Sequence, residues 1–93
     1  MQTAPIELTL FSSSFCGACR QTRSVLERVQ QLVPGVVVTE HDVAFVPDLA
    51  EADRIDATPT VIVRSSAGGE VLRASGVPQL DHVLVAVARA LEA

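Results

Sequence analysis

Cys16 and Cys19 stand three positions apart, just where an apolar run over residues 6–11 gives way to Ser12-Ser13-Ser14. Two thiols at Cys-x-x-Cys spacing can close a small disulfide ring, and a thiolate at a helix N-terminus is stabilised by the unpaired N–H groups and the macrodipole. The same spacing is also compatible with half of a metal site or with inert thiols. In a helix-initial pair the first sulfur faces solvent and the second lies one turn in. That makes Cys16 the candidate nucleophile and Cys19 the candidate resolving thiol of a reversible dithiol–disulfide exchange. Oxidation would then store the pair as a Cys16–Cys19 disulfide.

The rest of the sequence offers few competitors. The 93 residues carry a net charge of −4, and all seven positive residues are scattered arginines, which disfavours nucleic acid. With no lysine in the chain, Schiff-base chemistry is excluded. No Gly-x-Ser-x-Gly elbow surrounds the serines, so Ser12 to Ser14 read as a loop. His41 and His82 read as solvated residues without the paired spacing of a zinc site, and no resident metal or other cofactor is expected. Two alternatives of another class stay open: a metal or iron–sulfur binding module bridging chains, and a non-catalytic redox sensor.

Composition bounds the remainder. Hydrophobic residues make up 48% of the sequence but only three are aromatic, so the core should be Val, Leu, Ile and Ala within one domain over residues 1–93. Phe11, Phe15 and Phe45 are expected to pack, with Phe15 also shielding the disulfide. Met1-Gln2-Thr3-Ala4-Pro5 lacks the features of a signal peptide and no apolar run is long enough to span a bilayer, so a cytoplasmic monomer with no membrane partner is expected. In that compartment ordinary thiols are kept reduced, which favours a catalytic, sensing or metal-binding use of the pair over a structural one.

The elements that must position the cysteines follow from periodicity. Alternation over residues 6–11 predicts a strand. Val25, Leu26, Val29, Leu32 and Val33 then recur at helical spacing until Pro34-Gly35 stops them. Val36-Val37-Val38-Thr39 predicts a second, buried strand, completing a βαβ unit with the cysteines at the carboxyl end of the first strand. A short helix is expected over residues 46–54 with Leu49, Ala50 and Ala52 on its apolar side. Thr60 to Val63 and Glu70 to Ala74 flank a Ser-Gly-rich loop and predict an antiparallel hairpin. Pro78 marks the start of a last helix with a stripe of Leu80, Val83, Leu84, Val87 and Leu91. The order is βαβαββα.

That order, with Cys-Gly-Ala-Cys after strand one and Thr58-Pro59-Thr60 leading into strand three, resembles the thioredoxin superfamily in a minimal, glutaredoxin-sized form. The resemblance implies an α/β fold with a central four-stranded mixed sheet flanked by helices. It implies that Pro59 is cis, packs against the disulfide and leaves the Thr58 backbone free to pair with an extended substrate. Phe15, Gly17, Ala18, Gly76 and Val77 would flank the same groove. The implied partners are disulfide-containing proteins and a reductant system, either thioredoxin-reductase-like or glutathione. The sequence also departs from the family pattern. Phe15 replaces the family's usual Trp, and Ala18 replaces the Pro inside the motif. Leu10 occupies the place of a buried acid and no lysine accompanies it, so proton transfer at Cys19 would rely on water or on Cys16.

Overall fold

A computed structural model describes residues 5–92. The leader reading made on Met1 to Ala4 lies outside the described residues. The elements run β1 (Ile6–Ser12), α1 (Gly17–Leu32), β2 (Val36–Asp42), α2 (Pro47–Ala52), β3 (Thr60–Arg64), β4 (Glu70–Ser75) and α3 (Leu80–Glu92). This is the expected order, closed into one mixed sheet with strand order β2-β1-β3-β4. β1 pairs parallel with β2 and antiparallel with β3, and β3 pairs antiparallel with β4.

Side-chain alternation along β1 decides what lies on each face. Ile6, Leu8 and Leu10 join Val61 and Val63 of β3 in a core closed by Leu26 and Val29 of α1 and by Val83, Ala86, Val87 and Ala90 of α3. Each fully buried Leu or Val contributes about 1.5–3 kcal/mol of transfer free energy, so these two helices hold the sheet's main face. The opposite face carries Phe11, buried and set against the ring of His41 at 5.7 Å.

Several expectations need correction. β2 is an edge strand, not a buried one: only Val36 is buried, Val38 is half-buried, and Val37 is 42% exposed. An edge position leaves one side of the strand without a neighbour, so a run of valines there does not require burial on both faces. The strand also continues through Glu40 and His41 to Asp42, because β1 supplies pairing partners that far, up to Ser12. His41 is therefore half-buried against Phe11 and is not a freely solvated residue.

The helices shift in phase as well. In α3 the buried positions are Val83, Ala86, Val87 and Ala90, while Leu91 is 67% exposed. The alanines Ala86 and Ala90 belong to the buried core, while the larger Leu80 and Leu84 are only partly buried against it. α1 buries Leu26 and Val29 as expected, but also Cys19 and Thr22, and leaves Leu32 partly exposed. In α2 only Ala50 is buried; Leu49 and Ala52 face outward. The last helix begins at Leu80, two residues beyond Pro78, which is buried ahead of it.

Candidate active site

β1 ends at Ser12, a half-buried Ser13 and an exposed Ser14-Phe15 turn follow, and Cys16 then caps α1. Its backbone is extended (φ −107°, ψ 102°), and its Sγ accepts the Cys19 N–H at 3.0 Å. A sulfur thus does the work that Ser or Asp does at an ordinary N-cap. The Cys16 carbonyl takes the first helical bond, from the Arg20 N–H at 3.2 Å. Cys16 and Cys19 form a disulfide with their Cα atoms 5.1 Å apart. The two sulfurs differ in access: Cys16 is half-buried, whereas Cys19 is only 1% exposed.

The residues expected to flank the pair fall into two groups. Gly17 is exposed and Ala18 half-buried on the first turn, where nothing lies within 4 Å of a Cβ built at Gly17. Across the end of the sheet, the Thr58–Pro59 peptide is cis and Pro59 is buried. The Pro59 carbonyl accepts the Gly76 N–H at 2.9 Å. Gly76 itself has φ +88°, a conformation that suits glycine, and presents Val77 at 42% exposure. Among the described residues no hydrogen bond occupies the Thr58 backbone N–H or C=O. The Thr58 side chain is held instead: its hydroxyl lies 2.7 Å from that of Ser13. This bond joins the cysteine loop to the proline loop.

Phe15 and Phe45 do not pack. They are 106% and 83% exposed, because both sit in turns beyond the carboxyl end of the sheet, where no layer covers them. Ser12 is likewise no loop residue. It is buried as the last residue of β1, and its hydroxyl donates to Glu40 Oε2 at 2.8 Å. Arg23 of α1 grips the same carboxylate through two hydrogen bonds, Nε to Oε1 at 2.7 Å and Nη2 to Oε2 at 2.6 Å. The Arg23 guanidinium, helped by the Ser12 hydroxyl, holds the Glu40 carboxyl below its ordinary range, and Arg23 is raised in return. Glu40 pairs in register with Leu10, so a carboxylate does stand beside that apolar position, on the neighbouring strand and already neutralised by Arg23. Spacing alone carried no sign of it; only the strand register brings residues 12, 23 and 40 together.

Neither histidine joins the cysteines. His41 lies against Phe11, and His82 is exposed on α3. Among the described residues no group of three His, Cys, Asp or Glu side chains converges as metal ligands would.

The thioredoxin family model matches residues 2–89. The chain belongs to the thioredoxin family. Solved structures agree with this thioredoxin fold. Chloroplastic thioredoxin z is 26% identical, with a TM-score of 0.84 over 97% of this chain and 81% of that one. Fasciola hepatica thioredoxin is 24% identical, with a TM-score of 0.79 over 95% and 83%. The oxidised form of Saccharomyces cerevisiae mitochondrial thioredoxin 3 is 21% identical, with a TM-score of 0.77 over 90% and 77%. The last two are similar in fold alone. A search of curated protein sequences found no match. A thioredoxin domain with a close cysteine pair is the setting of thiol–disulfide exchange.

Proposed function

We propose that this chain is a thiol–disulfide oxidoreductase acting on protein disulfides. The observation that carries it is the unequal burial of the two sulfurs at the N-cap of α1, Cys16 accessible and Cys19 1% exposed. In the reduced protein the Cys16 thiolate, stabilised by the helix N-terminus and the Cys19 N–H, attacks one sulfur of a target disulfide. The target S–S bond breaks, a mixed disulfide forms, and one target thiolate leaves. Cys19, deprotonated, then attacks Cys16 Sγ. The second target thiolate departs and the Cys16–Cys19 disulfide remains. Two electrons have passed to the target, and a dithiol reductant must return them.

Leu10 offers no acid or base, and Glu40 is tied to Arg23, so the Cys19 proton passes to water or to a departing thiolate. Phe15, Gly17, Ala18, Thr58, Pro59, Gly76 and Val77 form the surface on which the target segment lies. Its main chain pairs with the free Thr58 backbone, as an added strand does. The proposed oxidoreductase is a monomeric, single-domain cytoplasmic protein that depends on a thioredoxin-reductase-like or glutathione system.

The test is trapping. A Cys19→Ser variant should accumulate a stable mixed disulfide through Cys16, and Cys16→Ser should accumulate none. Insulin reduction in the presence of dithiothreitol should require both thiols. Trapping through Cys19 in the Cys16→Ser protein would overturn the assignment of roles, and a wild-type protein that never accelerates reduction would overturn the activity.

A further inference from the structure

A cavity of about 240 Å³ opens beside Thr58, between the turn that follows β2 and the segment that precedes β3. It is lined by Val43, Ile55, Asp56, Ala57 and Thr58, which gives aliphatic walls and one carboxylate. Four of the five lining residues, all but Asp56, are tied down by hydrogen bonds. The Val43 N–H donates to the Ser12 carbonyl at 2.9 Å and the Ile55 N–H to the Ala50 carbonyl at 2.9 Å. The Thr60 hydroxyl donates to the Ala57 carbonyl at 2.7 Å, and Thr58 is held by Ser13. The cavity is therefore a formed part of the frame and needs no rearrangement to receive a side chain.

Charge at its rim is one-sided. Asp56 is exposed at the rim, so its side chain is open to a partner arriving from solvent. The ion pairs among the described residues are Arg23–Glu40, Arg64–Asp53 and Arg73–Glu70, and Asp56 takes part in none of them. Arg73 is within electrostatic reach but is occupied by Glu70 and by the Asp53 carbonyl at 2.8 Å. Arg54, two positions before Asp56, is exposed to screening solvent. On the same side of the sheet end, the Asp42 carboxylate accepts the Ala44 N–H and has no cationic partner among the described residues.

We propose that this cavity is a subsite for a target side chain close to the reacting cysteine, and that it selects lysine or arginine. The proposal rests on the reading that the target segment pairs with Thr58. Side chains of an extended segment alternate between faces, so one near the cysteine is delivered into the cavity. An aliphatic stem lies along Val43, Ile55 and Ala57 while its cationic head meets Asp56 in water, an arrangement suited to long basic side chains. A glutamate at the same place meets Asp56 with like charge and is rejected. The chain's net charge of −4 steers the same class of target towards it.

Two measurements test this. Disulfide-linked peptides identical except for Lys, Ala or Glu beside the cysteine are reduced by the dithiol protein. The same segments with Ser in place of Cys are titrated against the oxidised protein while amide shifts of Val43, Ala57 and Thr58 are followed. The Lys peptide should lead the Ala peptide by about threefold in kcat/KM, as a solvated ion pair allows, with Glu slowest. Asp56→Asn or about 0.5 M salt should erase the ranking. Equal rates and equal shifts for Lys and Ala, or a Lys preference that survives Asp56→Asn, would overturn the subsite. Lys-selective shifts without reduction of any peptide would support the subsite and sink the oxidoreductase reading instead.

Discussion

The hydroxyl oxygens of Ser13 and Thr58 lie 2.7 Å apart across 45 positions of sequence, and tie the cysteine loop to the proline loop. A part-buried neutral hydrogen bond of this kind contributes about 0.5–1.5 kcal/mol net. Ser13→Ala should therefore lower the unfolding free energy by roughly 1 kcal/mol in urea titrations. Its larger effect should be on KM for a disulfide peptide, because Thr58 loses the contact that orients its backbone. A rise in KM with kcat kept separates positioning from chemistry; unchanged KM and stability would show that the bond does neither.

Unequal access to the two sulfurs gives a second expectation. In the reduced protein, iodoacetamide should label Cys16 first and leave Cys19 largely unmodified, because alkylation needs an exposed thiolate and Cys19 is 1% exposed. Mass spectrometry of peptides from partially labelled protein reads the order directly. Equal labelling would mean that the first turn of α1 opens in the dithiol form.

Glu40 links stability to pH. Its hydrogen bonds from Arg23 and Ser12 hold its carboxyl below the ordinary range. A carboxyl lowered on folding adds stability that is complete above the unfolded value of about 4.3 and is lost as pH falls through the lower folded value. The pair is largely solvated, with side chains 44% and 31% exposed, so its worth is held to about 0.2–1 kcal/mol. Glu40→Gln should be less stable by that amount at neutral pH, and the gap should close in acid below about pH 4 and in high salt. A gap that persists at pH 2, about two units below the unfolded value, would assign the loss to packing instead of charge.

Alternation in β1, the Pro34-Gly35 stop and the Ser-Gly hairpin loop made the element order readable, since each is a local signal with a period or a breaker behind it. The edge position of β2 was not readable: Val36, Val37 and Val38 look the same in a central strand as in a border one. The Ser12–Glu40–Arg23 network and the Ser13–Thr58 bond depend on register between distant segments, to which local sequence is blind. The exposure of Phe15 and Phe45 also went against their chemistry. Large apolar side chains usually pack, and those that do not are informative for that reason.

Phe15 sharpens this last point, because it is fully exposed and holds φ at +58°. A left-handed conformation costs a non-glycine residue about 1–2 kcal/mol, and no packing of the ring offsets it. Strain kept without a structural return points to function, here contact with the target segment. Phe15→Gly removes the steric cost but loosens the unfolded chain by about 0.4–1 kcal/mol, so the two effects nearly cancel. The variant should keep its urea midpoint within about 1 kcal/mol of the parent while losing efficiency in reducing protein disulfides. Small disulfides, which need little contact beyond Cys16, should be reduced almost as before. If Phe15→Gly left protein substrates unaffected, the strain would have no functional account; if it collapsed stability, the ring would have a packing role that its exposure denies.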